Sequence, residues 1–305
     1  MAGLDVQNAH AGWLEVTATG AHPEALEDAL LEAGAVAVTL TDAADVPILE
    51  PELGTHPTWP STCVTGLFAA DADEAAVLAC VRACIPETDI GPWTASRLED
   101  REWVRAWMDH YHPMQFGKHL WICPTGYETE MPADAVTVHL DPGLAFGTGT
   151  HPTTSLCLQW LDGMDCGGRD VLDMGCGSGV LAVAAARLGA AHVDGVDIDP
   201  QAVRATCENA RRNQVDVQAY LPDAQPHGDY DIVLSNILAA PLMVMAPALV
   251  ARLRPGGHLV LAGLLETQAE DVIAAYAPLI NLRIGAVQDG WARLQGQLDQ
   301  TPPSR

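Results

Sequence analysis

Apolar positions change period repeatedly along the chain, and the changes mark its elements. Trp13 to Thr17 alternates as a strand, and Pro23 to Gly34 has helical spacing with Glu24, Glu27 and Asp28 early and Gly34 at its end. Ala35 to Leu40 returns to strand spacing. After a stretch containing Pro47, Pro51, Pro57 and Pro60, Cys63 to Phe68 reads as a strand, Asp73 to Cys84 as a helix and Trp93 to Leu98 as a strand. The β-α-β-β-α-β order predicts a small α+β domain of ferredoxin type over residues 1–98. Residues 99–128 are expected to form a linker helix and connector. Trp103, Trp107 and Tyr111 repeat at i, i+4, i+8 and predict a packing stripe on that helix, and Phe116 to Pro124 reads as a strand.

From residue 129 onward, β and α patterns alternate. Val136–Leu140, Val171–Met174, His192–Val196, Val217–Leu221, Asp231–Asn236 and His258–Ala262 are predicted strands. Helices are expected at Ser155–Leu161, Val180–Gly189, Pro200–Asn213, Leu242–Leu253 and Glu266–Tyr276. Leu282–Val287 and Trp291–Gln297, joined by Gln288-Asp289-Gly290, form an expected hairpin. The sum is an α/β domain with a doubly wound, seven-stranded Rossmann-like sheet over residues 129–305.

The most informative stretch is Val171-Leu172-Asp173-Met174-Gly175-Cys176-Gly177-Ser178-Gly179, an apolar strand running into a glycine turn and then a helix. Gly175, Gly177 and Gly179 let the backbone approach a ligand that any β-carbon would hold away, and the helix start offers amide donors. The dinucleotide fingerprint needs glycine or alanine three residues after its second glycine, but position 180 is Val. A nucleoside without a pyrophosphate fits that spacing better. Asp197 ends the next strand about 20 residues on, where an acid can accept both ribose hydroxyls. The segment Asp141 to Thr154, with three glycines and four threonines, suits a cover over that site; His151 is its one general-base candidate.

Composition narrows the partner. Forty acidic residues against fifteen basic ones give a net charge of −25, and residues 1–90 carry fifteen acids with Arg82 as their only Lys or Arg, hence −14. Free nucleic acid would be repelled and a strongly basic protein attracted. No apolar run approaches the ~18 residues of a membrane span, and no basic segment precedes an apolar one at the N-terminus. A cytoplasmic protein with no membrane partner is expected. Eight cysteines lie scattered without a CxxC pair, so no metal is expected and Cys176 reads as a small filler.

VLDMGCGSG, the acid-ended second strand and the late Pro255-Gly256-Gly257 turn resemble the class I S-adenosylmethionine-dependent methyltransferases. AFGTGTHPTT at 145–154, GVDIDPQAV at 195–203 and Ser235-Asn236-Ile237-Leu238-Ala239 narrow the resemblance to the PrmA family, which methylates ribosomal protein L11. By position, the resemblance implies S-adenosylmethionine as cofactor, with Gly175, Gly177 and Gly179 at its methionine part and Asp197 at its ribose. It also implies Phe146 beside the cofactor, and Thr154 and Asn236 at the cofactor or reaction site. The ferredoxin-like domain would recognise the basic ribosomal protein. Asp223 is the positional candidate for adenine, but residues 223–230 are short and diverge from the family, which leaves the adenine contacts unassigned.

Asn236, at a strand end, is the expected catalytic residue: its carboxamide oxygen can accept an amine's hydrogens and aim the lone pair. Lysine side chains and an N-terminal amine of L11 are the expected acceptors. The alternatives are the same chemistry on another protein's amine or amide, on a small metabolite or on a nucleobase, and a cofactor-binding assembly factor without catalysis. A dehydrogenase fits least, because the glycine spacing fails.

Overall fold

The computed structural model describes residues 12–20, 22–44, 59, 61–98, 112–127, 131–141 and 151–300. The chain divides into two compact units, Met1–Asp109 and His110–Arg305. Trp103, Trp107, Tyr111 and Phe146 lie outside the described residues.

In the first unit, β1 (Trp13–Thr19), β2 (Ala37–Asp42), β3 (Thr62–Ala69) and β4 (Trp93–Leu98) form an antiparallel sheet in the order β2-β3-β1-β4. Every second residue of β1 points inward. Leu14, Val16 and Ala18 pack with Leu26, Ala29 and Leu30 of the helix Pro23–Glu32 and with Val77 and Val81 of the helix Glu74–Cys84. Pro23 opens the first helix, where its missing N–H costs nothing. Asp73 caps the second, accepting the Ala75 N–H at 3.0 Å.

The second unit opens with a three-stranded sheet, β5 (Met114–Phe116), β6 (Leu120–Cys123) and β7 (Val136–His139). Phe116 to Pro124 is therefore not one strand. Gly117, at φ +75°, breaks it, and the Asp162 carboxylate fills the space a side chain would need. That carboxylate also accepts the N–H groups of Lys118, His119 and Leu120, the last two at 2.9 and 2.8 Å. Strands β6 and β7 bury Leu120, Ile122 and Val138 in the same core as Leu158 and Val171, so residues the sequence suggests as connector belong to this unit's core.

The large sheet follows: β8 (Asp170–Met174), β9 (His192–Val196), β10 (Gln218–Tyr220), β11 (Tyr230–Asn236), β12 (Leu253–Leu265), β13 (Leu282–Gln288) and β14 (Trp291–Gln297). Their order is β10-β9-β8-β11-β12-β14-β13, parallel except where β14 runs against both neighbours. Val171, Ile232, Leu234 and Val260 face one apolar layer, and Leu172, Val233, Leu259 and Leu261 face another. Burial on both faces explains why these strands read as continuous apolar runs.

The expected helix Leu242–Leu253 is instead two short helices, Ala239–Val244 and Ala246–Val250. Pro247 lacks the N–H that would bond the Met243 carbonyl, so the first helix cannot run through it. The Pro255-Gly256-Gly257 turn is absorbed into β12, which shifts register against β11 there and against β14 near Gly263.

The chain leaves β8 for β9 on one side and returns to β11 on the other, so the sheet changes direction between β8 and β11. Ligand crevices form outside the carboxyl ends of strands at such a point. The register pairs Met174 with both Val196 and Ser235. Gly175, Asp197 and Asn236, each one residue further on, consequently stand in a row along that edge.

Candidate active site

The glycine turn begins where β8 ends. Gly175, Gly177 and Gly179 have φ of +80°, +54° and +77°, a region that side chains with a β-carbon disfavour. Space is equally restrictive. A β-carbon on Gly175 would lie 2.3 Å from Ile237 Cγ2, and one on Gly179 would lie 2.7 Å from Thr206 Cγ2. The Gly175 and Cys176 N–H groups donate to the Val196 carbonyl at 2.7 and 3.1 Å, which ties the turn to β9. Burial pushes the Cys176 thiol up to about 12, so it is packing and not a nucleophile.

Asp197 stands beside this turn. One carboxylate oxygen accepts the Gly177 N–H at 2.9 Å and the other accepts the Asp199 N–H at 2.9 Å, which fixes the plane of the carboxylate. Each oxygen keeps a lone pair beyond the bond it has made. Ile198, the next residue, is 85% exposed. Asp223 is exposed on the short turn Pro222–Ala224.

Asn236 ends β11 and Thr154 lies in the first turn of the helix Pro152–Asp162. These two residues, distant in sequence, meet: Asn236 Nδ2 donates to Thr154 Oγ1 at 3.2 Å. The amide thereby turns its oxygen away from Thr154. Asn236 Oδ1 is buried and has no hydrogen-bond partner among the described residues. A buried acceptor left without a donor costs about 1–3 kcal/mol, a cost expected where a ligand's donor completes the bond.

His151 is not placed as a base. Its Nδ1 accepts the Thr153 N–H at 3.3 Å and caps the helix, while its ring packs edge-on against Trp291 at 4.8 Å. Burial lowers its pKa, which favours the unprotonated Nδ1 that this cap needs.

Two residues at the site escape the sequence reading. Asp173, inside the VLD run, is 1% exposed. Its Oδ2 accepts the Ala182 N–H at 3.1 Å, but its Oδ1 has no partner among the described residues. Burial pushes this carboxyl up to about 7, with the Asp197 charge adding to the rise and the Ala182 N–H opposing it. The second is Gly263 of β12, at φ +86°, where a β-carbon would lie 2.3 Å from the Ile237 carbonyl oxygen and 2.8 Å from its nitrogen. Ile237 is thus held between Gly175 and Gly263. For the acid, its place two residues before the first glycine was a signal left unused; a lone glycine inside an apolar strand gives no signal of what packs against it.

The family profile described as ribosomal protein L11 methyltransferase (PrmA) matches residues 12–299. The ribosomal protein L11 methyltransferase of Ectopseudomonas mendocina is 50% identical over 293 residues, covering 93% of this chain and 98% of its own. That of Shewanella amazonensis is 48% identical over 286 residues, covering 93% and 97%. The crystal structure of ribosomal protein L11 methylase from Lactobacillus delbrueckii subsp. bulgaricus superposes with a TM-score of 0.56 at 32% identity, over 62% of this chain and all of that one. With the profile running through both units and close relatives matched almost end to end, the chain belongs to the ribosomal protein L11 methyltransferase family.

Proposed function

We propose that this protein transfers methyl groups from S-adenosylmethionine to amines of ribosomal protein L11, at lysine side chains and the N-terminal amine. The observation that carries the reading is the buried Asn236 Oδ1, which has no partner among the described residues, on a side chain bonded to Thr154 and in the same row of strand ends as the glycine turn and Asp197.

The residues present fit the methyl donor. Gly175, Gly177 and Gly179 would admit its methionine part, Asp197 would take the ribose hydroxyls, and the exposed face of Ile198 would lie against the base. Phe146 is assigned beside the sulfonium, where a ring face attracts a cation. Bound there, the donor supplies an electrophilic methyl carbon with a neutral thioether as leaving group. The chain's part is alignment and exclusion of water. An ε-amine near pKa 10.4 must first shed its proton, which transfer out of water favours; an α-amine at about 7.7–8.0 is already partly free. Asn236 Oδ1 then accepts one N–H of the neutral amine and directs its lone pair. A backbone carbonyl, that of Ile237 or Leu238, would accept a second N–H; the Leu238 carbonyl also accepts the Leu242 N–H at 3.2 Å and keeps a lone pair.

Asp173 makes cofactor binding pH-dependent. Its carboxyl is raised, so the folded protein holds the proton more tightly than the unfolded chain, and stability from this group falls as pH rises from about 4 toward 7. A cationic ligand beside the carboxylate opposes that loss. We expect the thermal shift produced by S-adenosylmethionine to grow as pH rises through about 7, and Asp173→Asn to flatten the trend. Equal shifts at about pH 6 and pH 8 in the unsubstituted protein would rule the coupling out.

The acidic first unit is assigned to docking the basic substrate. Such an interaction is screened by salt, so the KM for L11 should rise steeply with ionic strength while the KM for S-adenosylmethionine changes little. The reading as a whole is tested with methyl-labelled S-adenosylmethionine and separately purified large-subunit proteins. Label confined to L11 is the expected result; label on another protein would discard the substrate, and no label despite cofactor binding would leave a non-catalytic role.

A further inference from the structure

The helix Pro200–Arg212 carries Thr206 and Asn209 three positions apart, hence on one side. Both reach the glycine turn. Thr206 Oγ1 lies 3.2 Å from the Gly177 carbonyl oxygen and 3.3 Å from Cys176 Sγ, and Asn209 Nδ2 donates to the Ser178 carbonyl at 2.8 Å. Thr206 is fully buried and occupies the space that a β-carbon on Gly179 would take. Two consecutive carbonyls of the turn are therefore drawn toward the helix.

A trans peptide unit is planar, so its C=O and the N–H of the next residue point in opposite directions. Drawing the Gly177 carbonyl toward Thr206 turns the Ser178 N–H away from the helix. Drawing the Ser178 carbonyl toward Asn209 turns the Gly179 N–H back to the Cys176 carbonyl, where it bonds at 2.7 Å and closes the turn. With φ positive at 177 and 179, the glycines alone leave these peptide planes free to rotate. The helix removes that freedom. Next along the same helix end, Asn213 bonds both the N–H and the C=O of His139 at 2.6 and 2.8 Å, and Arg212 pairs with Asp141 at 3.0 Å. The side chains that orient the turn thus sit on a helix fixed at its far end to β7.

We infer that Thr206 and Asn209 are positioning residues, which set the peptide orientation of the glycine turn and through it the affinity for the amino-acid end of the methyl donor. This rests on the assignment of that donor. The test compares S-adenosylhomocysteine with 5′-methylthioadenosine, which keeps the nucleoside and sulfur but lacks the amino acid. Calorimetry on the full chain should show Thr206→Val and Asn209→Ala each weakening S-adenosylhomocysteine about tenfold, while 5′-methylthioadenosine changes by less than about twofold. Thr206→Ser, which retains the hydroxyl, should restore most of the affinity. Equal weakening of both ligands, or a lowered melting temperature with S-adenosylhomocysteine affinity intact, would overturn the inference and leave the pair a structural role. Should Thr206→Val not fold, the Asn209→Ala comparison decides alone. Failure of the unsubstituted protein to bind S-adenosylhomocysteine would overturn the proposed donor and this inference with it.

Discussion

Asn236→Ala should lower turnover on the order of a hundredfold or more while S-adenosylmethionine still binds. The side chain lies at the strand end beside the glycine turn, yet its hydrogen bond runs to Thr154 and its oxygen is aimed at no described group. Under the proposed mechanism, removing it takes away the acceptor that orients the amine, and orientation is most of what the chain would contribute. Asn236→Asp discriminates further. A carboxylate there would favour the protonated amine, which has no lone pair to give, so it should also be slow at neutral pH. Thr154→Val keeps the shape but frees the amide to flip, and should fall between the unsubstituted protein and Asn236→Ala. Stopped turnover accompanied by lost binding would instead make Asn236 a cofactor contact; unchanged turnover would remove it from the mechanism. Calorimetry for the cofactor and initial rates with L11 separate these results.

Gly263→Ala should be the most damaging small change in the second unit. The residue sits at φ +86°, where a β-carbon costs about 1–2 kcal/mol. The added methyl would also meet the Ile237 backbone at 2.3 to 2.8 Å, and main chain yields less readily than the end of a side chain. Overpacking of this kind costs about 1–3 kcal/mol, so a loss of about 2–5 kcal/mol is expected. Ile237 follows Asn236 directly, and its side chain fills the space over Gly175. One substitution should therefore lower the melting temperature, weaken the cofactor and slow turnover together. Chemical denaturation and calorimetry check this, and a variant as stable and active as the parent would show that the Ile237 turn can move without consequence.

How far the sequence revealed these features depends on the range of the interaction behind each one. The alternation in β1 and the glycine run after β8 are local patterns, so that strand and that turn were legible. The row formed by Gly175, Asp197 and Asn236 was legible because it follows from strand ends, which the chain marks with glycine, acid and asparagine. Gly263, Thr206 and Asn209 were not. Their importance lies in what they meet across the fold, and nothing near them in sequence states it. The broken strand at Gly117 was hidden for the same reason, since the carboxylate that stabilises the turn comes from Asp162. The run Leu242 to Leu253 misled because its apolar residues fit a helix, while the breaking signal at Pro247 was outweighed. His151 drew attention as a base, but a ring that caps a helix and packs on Trp291 is held there by contacts that no spacing rule discloses.

The central claim is that this site methylates amine nitrogen on L11. Intact-mass and fragment analysis of L11 after incubation with the protein and S-adenosylmethionine tests it most directly. Methylene increments on lysine side chains and the N-terminal amine are the expected result. An unmodified L11, in a reaction where cofactor binding has been measured, or methyl groups confined to glutamine amides or carboxylates, would contradict it.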